Sequence, residues 1–331
     1  MSNILGRCPF EFEREEVAVR LEGDSAIDNT DDKVALQWLK GAVLPDDAPI
    51  VLICPGLANT KDSLPGTSLY GPLQSGPWRV VVYEKRGVGT GRGKLESPVF
   101  HLFGHPSDLD AAVRHVHKRF PKAPIHLVSF SAGNGLVGSY VRMFCGESGS
   151  TSGVRSCIML MGGEDYNRAL KLRQASWMDG MVESRLLSFT KNYFLKANEA
   201  ILKEHNSEAY AAALSATSLH DLYLVTMRHF SGYSDLVEAE RRINGFLGGN
   251  DWWTENQIPS LCIHTSDDPV GWQLHPEWLE VACQSPQVAI ARFRFGSHCA
   301  CYEGYNLSRW SDRLVVEWLQ AAAYLEYKRA R

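Results

Sequence analysis

The chain has 331 residues, 44% of them hydrophobic, enough to build the core of one large α/β domain or two smaller ones. Its 34 Lys and Arg nearly balance 38 Asp and Glu, with no run of five like charges, which argues against a nucleic-acid groove or an anionic membrane surface as partner and for a small molecule. The start, MSNILGRCPFEFEREE, lacks the apolar core of a secretory signal, and no run reaches the roughly 18 apolar residues of a membrane span, so a cytoplasmic protein is expected.

Short apolar runs, often β-branched and closed by Gly, Pro or Asp, predict strands at Val17 to Leu21, Val34 to Leu39, Ile50 to Cys54, Val80 to Tyr83, Ile125 to Phe130, Cys157 to Met161, Leu261 to His264 and Val288 to Phe295. The first two read as a hairpin. Between later strands lie helical patterns such as Leu109, Ala112, Val113 and Val116, whose three- and four-residue steps make one apolar face. Strands alternating with helices imply a mostly parallel sheet covered on both faces. From Glu164 to Ile258 the rhythm changes: no strand is evident, and Leu186, Phe189, Tyr193, Phe194, Ala197 and Ile201 keep helical spacing. The predicted organisation is therefore a core over residues 1–163 and 259–331, interrupted by a helical insertion over 164–258. The eight cysteines are scattered, and Cys54, Cys157 and Cys262 fall in or beside apolar runs, so they read as reduced, structural thiols.

RGVGTGRGK, Arg86 to Lys94, looks like a phosphate cradle but fails both nucleotide patterns. Starting at Gly87 the sixth position is Arg92, starting at Gly89 it is Lys94, and Leu95 follows Lys94 where a P-loop needs Ser or Thr. It reads as a tight turn after a strand. No cofactor is expected.

The stretch HLVSFSAGNG carries chemistry. Ser131 stands at the centre of Ser129-Phe130-Ser131-Ala132-Gly133, a G-x-S-x-G nucleophile pattern with Ser129 at the first glycine, between a strand and the helical pattern from Ala132 to Met143. A serine hydroxyl needs a base oriented by a carboxylate. His298 lies just past the last strand, in FGSHCACYEG, and reads as that base, whereas His264 falls within a strand and reads as structural. For the acid, Asp268 follows the strand ending at His264 and is backed by Pro269; Asp267, and Asp165 after an earlier strand, are alternatives. Backbone N–H groups of Ala132 and of Leu57, in CPGLAN, are candidate oxyanion donors, with Gly56 permitting close approach. His298, Cys299 and Cys301 also cluster, but without the second pair of ligands that a structural zinc site needs.

These segments together resemble the α/β-hydrolase superfamily and, within it, the YheT-like branch of esterases, lipid hydrolases and acyltransferases. The resemblance rests on VALQW, CPGLANTKDS, YEKRGVGTG, the segment FGHPSDLDAAVRHVHKRFPKAPIHLVSFSAG, Gly245-Phe246, Trp252-Trp253, SDDP and GSHCACYEG, in that order. It implies an eight-stranded, mostly parallel sheet flanked by helices, with a helical lid after the sixth strand. It also implies Ser131 as nucleophile, Asp268 as acid, His298 as base, and Leu57 and Ala132 as oxyanion donors. The expected activity is cleavage of a small-molecule carboxylic ester, lipid-like or with a medium-length acyl chain, through an acyl-Ser131 intermediate. Trp177, Met181, Phe189 and Phe194 of the lid would contact the acyl chain. An acyltransferase using the same residues, and a non-catalytic ligand-binding protein on the same fold, are the rivals. The membrane anchor of many eukaryotic relatives has no counterpart in the sequence, in keeping with a soluble protein.

Overall fold

A computed structural model describes residues 8–21, 27, 32–57, 59–63, 65–88, 94–145, 152–162, 177–243, 256–270, 280 and 282–329. Asp165, Gly89 to Gly93 of the glycine-rich loop, Gly245-Phe246, Trp252-Trp253 and the side chain of Trp177 lie outside the described residues.

Eight strands form one sheet: β1 (Phe12–Ala18), β2 (Lys33–Leu39), β3 (Ile50–Cys54), β4 (Arg79–Glu84), β5 (Ile125–Phe130), β6 (Val154–Leu160), β7 (Ser260–Thr265) and β8 (Val288–Phe293). Their spatial order is β1-β2-β4-β3-β5-β6-β7-β8. β2 pairs antiparallel with both neighbours, and all pairs from β4 to β8 are parallel. This is the α/β-hydrolase fold that the sequence implied. The central strands are buried along their whole length and largely apolar, as parallel strands between helices require.

Alternate side chains serve the two faces. Leu52, Leu127, Cys157 and Met159 pack against Leu109 and Val113 of α2 (Pro106–Arg119) and against Leu136 and Tyr140 of α3 (Gly133–Phe144). Ile53, Val128, Ile158 and Ile263 pack the other way, against Leu69 and Leu73 of α1 (Gly66–Gln74) and Val315 and Leu319 of α8 (Trp310–Arg329). The four apolar residues predicted on one face of α2 are all fully buried. Between β6 and β7 the described chain is helical: α4 (Trp177–Thr190), a π turn (Lys191–Leu195), α5 (Glu199–Ser215), α6 (Leu219–Phe230) and α7 (Leu236–Ile243). Among the described residues, no helix is long and apolar enough to cross a membrane. All eight cysteines are free.

The first strand differs from expectation. The apolar-run reading put it at Val17 to Leu21, but β1 begins at Phe12, and its register pairs Phe12 with Leu39 and Ala18 with Lys33. β1 is an edge strand whose sequence, FEREEVA, is held by ladder hydrogen bonds and exposed charges rather than by a continuous apolar face. A search for apolar runs therefore finds only its end.

One charged cluster ties the loop before β2 to α2. Arg86 Nε and Nη2 donate to the two carboxylate oxygens of Asp108 at 2.6 and 2.7 Å, and Nη1 is paired with Asp32, which also accepts from Ser97 Oγ at 2.6 Å. All three charged groups are buried. Burial pushes the Asp32 carboxyl up, with the Arg86 charge opposing it. Replacing Arg86 with Met would strand two buried carboxylates, so Arg86→Met is expected to lose about 3–5 kcal/mol of stability in urea denaturation.

Candidate active site

The parallel pairing of β3 with β5 sets Cys54 opposite Ser129, so both strands end at the same level and their following loops lie side by side. The chain then turns sharply. Ser131 adopts φ 51°, a left-handed conformation that costs an L-residue roughly 1–3 kcal/mol and recurs at functional turns. Its N–H donates to Leu160 O at 2.9 Å, and its carbonyl accepts from Asn134 N at 2.9 Å as α3 begins. Gly133 is required here: a Cβ would run into the carbonyl oxygen of Cys54 and lie 2.9 Å from that of Pro55. Gly56 also abuts Ser131: a Cβ there would be 3.2 Å from the Ser131 Cβ.

Ser129, the departure from the glycine pattern, is fully buried and hydrogen-bonded. Its hydroxyl donates to Asn134 Oδ1 at 2.8 Å, tying the end of β5 to the first turn of α3. The elbow accommodates a Cβ at this position, and the hydroxyl becomes a brace.

Asp268 and His298 arrive from β7 and β8. The Ser131 Oγ lies 2.8 Å from His298 Nε2, and His298 Nδ1 lies 3.0 and 2.9 Å from the two Asp268 carboxylate oxygens. A carboxylate only accepts, so Nδ1 carries the proton and Nε2 is left to accept the Ser131 O–H. The Asp268 side chain is nearly buried, and its Oδ1 also accepts from Val270 N at 2.8 Å in the turn around Pro269. Asp267, the alternative acid, is engaged elsewhere: its carboxylate accepts from Gly296 N at 3.3 Å and Ser297 N at 2.9 Å. It braces the loop carrying the histidine and makes no described contact with the imidazole.

That loop is tightly held. Ser297, Cys299 and Cys301 all have positive φ, so three non-glycine residues near His298 are in the left-handed region. Thr265 Oγ1 donates to Ser297 O at 2.9 Å, and buried Arg309 donates to Cys299 O at 2.7 Å and Ala300 O at 3.1 Å while also bonding Pro65 O at 3.0 Å. Cys299 and Cys301 are not alternative nucleophiles. Burial pushes the Cys299 thiol far up and that of Cys301 up to about 11, leaving both protonated near neutral pH. His298 Nδ1 is engaged by Asp268 and Nε2 by Ser131, so the ring is turned to these two residues.

Ala132 is buried directly after Ser131 at the N-terminus of α3, and Leu57 follows Gly56 in the adjacent loop. Both belong to an apolar cluster with Leu187, Phe194, Tyr223 and Met227 of the helical segment. Of the residues expected to contact an acyl chain, Met181 and Phe189 are exposed, at 55% and 44%. Phe194 is instead a packing residue: it is fully buried, its ring 5.8 Å from that of Phe100, which stacks in turn on Phe230 at the same spacing. His264 is buried within β7. Sequence inspection missed the bracing roles of Thr265, Asp267 and Arg309, because each acts on residues about 30 or more positions away, or on a loop with no pattern of its own.

Removing the Ser129 hydroxyl leaves a buried amide oxygen without its donor. Ser129→Ala is therefore expected to cost about 1–3 kcal/mol in urea denaturation, and a stability equal to wild type would show that the brace carries no load.

A family model described as alpha/beta hydrolase fold matches residues 49–304. Protein ABHD15 of Homo sapiens is 28% identical over 266 residues, covering 75% of this chain and 50% of its own length, so the chain spans half of that relative. Phospholipase ABHD3 of Mus musculus is 24% identical over 326 residues, covering 96% of this chain and 74% of its own. Among solved structures, the esterase Pf2001 of Pyrococcus furiosus superposes with a TM-score of 0.55 at 13% identity, covering 95% of this chain and 91% of its own. With the strand order described above and a family match over more than three quarters of its length, this chain belongs to the alpha/beta hydrolase fold family.

Proposed function

We propose that this protein is a serine hydrolase of carboxylic esters, working through an acyl-Ser131 intermediate. The observation that carries the proposal is the unbroken line from Ser131 Oγ through both ring nitrogens of His298 to the Asp268 carboxylate. His298 Nε2 takes the hydroxyl proton as Ser131 Oγ attacks the ester carbonyl. The imidazolium is stabilised by Asp268, then returns the proton to the leaving alkoxide. Water, deprotonated by the same nitrogen, attacks the acyl-serine, and the released Ser131 recovers its proton.

The carbonyl oxygen becomes negative in both steps, and the N–H groups of Leu57 and Ala132 are its proposed donors, aided by the positive end of α3. Each such donor contributes about a hundredfold in rate. The helical segment between residues 164 and 258 is proposed as a lid, because its apolar cluster reaches Leu57 and Ala132. Exposed Met181 and Phe189 would meet the acyl chain, with Trp177 at the start of α4, and Phe194 holds the lid to the core. Apolar lining favours a lipid-like or medium-chain acyl ester. The names of the relative Phospholipase ABHD3 and of the Pf2001 esterase support ester chemistry in general, and the ordered signature segments favour the YheT-like branch.

Wild type is expected to react with a fluorophosphonate and to cleave p-nitrophenyl esters with an optimum beyond acetyl, while Ser131→Ala loses both. Asp268→Asn, which disfavours the required imidazole tautomer, should lower kcat by about 10³- to 10⁴-fold, and Asp267→Asn by far less. An unreactive wild type would sink the hydrolase reading in favour of ligand binding. Faster acyl transfer to an added alcohol than to water would make it an acyltransferase.

A further inference from the structure

Lys85, immediately after β4, is buried at 4% exposure, with no carboxylate partner of its own among the described residues. Its ammonium donates to Gly56 O at 3.2 Å and reaches Phe103 O at 3.5 Å. The Gly56 carbonyl and the Leu57 N–H are the two ends of one planar trans peptide, and they point in opposite directions. Among the described residues, no acceptor is hydrogen-bonded to the Leu57 N–H. We infer that Lys85 is a positioning residue for ester cleavage: it grips the Gly56–Leu57 peptide from behind, fixing its plane and polarising its N–H toward the oxyanion formed beside Ser131. The inference rests on the hydrolase reading above.

Three observations join here. Gly56 abuts Ser131, so the plane that Lys85 holds borders the reacting centre. A hydrogen bond to one end of a peptide strengthens the donor at the other, and a full positive charge does so more than a neutral donor. The charge is also not explained by stability, since an apolar chain of similar length would fill the same space without desolvation. The ionisable groups facing the ammonium are Cys54 on β3 and His101 on the segment before α2. Burial pushes the Cys54 thiol up and pulls His101 well below its ordinary range, so both are neutral at pH 7. The nearby carboxylates Asp32 and Asp108 are committed to Arg86.

Burial also pulls Lys85 down to about 8, so its charge is present below that pH and lost above it. Acylation by p-nitrophenyl esters and phosphonylation by a fluorophosphonate should therefore decline in wild type as pH rises through about 8. Lys85→Met should lose about 10- to 50-fold in kcat, less than the roughly hundredfold loss of an oxyanion donor, with KM within about twofold and no decline at that pH. A trifluoromethyl ketone, which forms an oxyanion on Ser131, should bind the variant more weakly by a similar factor. Unchanged kcat and ketone affinity in a folded variant would overturn the role of Lys85 while leaving the hydrolase reading intact. A reduced kcat with lowered melting temperature and an intact alkaline decline would also overturn it, marking Lys85 as structural. If the variant does not fold, the wild-type profile decides, and rates flat to pH 10 would overturn the proposal. Wild type inert to every ester and to the fluorophosphonate would remove the hydrolase reading itself, and the proposal with it.

Discussion

The close approach of the Ser131 turn to the end of β3 governs the geometry around it. Gly133 lies where only a hydrogen fits between α3 and the carbonyl oxygens of Cys54 and Pro55, and Gly56 lies against Ser131. This contact forces Ser131 into a left-handed conformation and puts the N-terminus of α3 beside the loop that carries Leu57. The strain is sustained because β5 is bonded on both sides, to β3 and to β6, and because Leu160 and Asn134 take up the N–H and carbonyl of Ser131. A turn of this kind in an isolated segment would relax; between paired strands it has nowhere to go.

Polar side chains hold the periphery of this turn. Ser129 ties strand to helix with one hydroxyl, and Asp267 holds the two N–H groups preceding His298. Arg309 collects carbonyls from Pro65, Cys299 and Ala300, linking the α1 entrance to the histidine loop. Asp267 and Arg309 act on backbone groups and Ser129 on the Asn134 side chain, so the apolar core and the polar braces support the same geometry. Lys85 stands apart from them, since its carbonyl partners compensate its charge only in part and it lies behind the Gly56–Leu57 peptide.

The helical segment between β6 and β7 is joined to the sheet's loop end by a shared apolar cluster rather than by strand pairing. Phe100 stacks on Phe194 and on Phe230, and Phe100 N–H donates to Phe230 O at 2.8 Å, stitching the loop before α2 to α6 and to the π turn. Ala132 and Leu57 belong to the same cluster, so packing changes in these helices act directly on the residues flanking Ser131.

Residue order alone was enough to locate seven of the strands, the buried face of α2 and the helical break between β6 and β7, because apolar periodicity is a local signal. It also singled out Ser131, Asp268 and His298, since a strand end followed by a small-residue turn is readable without a structure. The edge strand β1 was legible only at its end, its charged residues hiding a ladder that only a partner strand reveals. The sequence favoured Asp268 through Pro269 but left Asp267 beside it as an alternative. Tertiary structure distinguished them: the register of β7 against β8 aims Asp268 at the imidazole and Asp267 at the backbone of the next loop. The same holds for Phe194 and Lys85, whose surroundings come from segments far away in the chain. Local pattern specifies which elements form; which side chains meet depends on the register and crossing of elements that are distant in sequence.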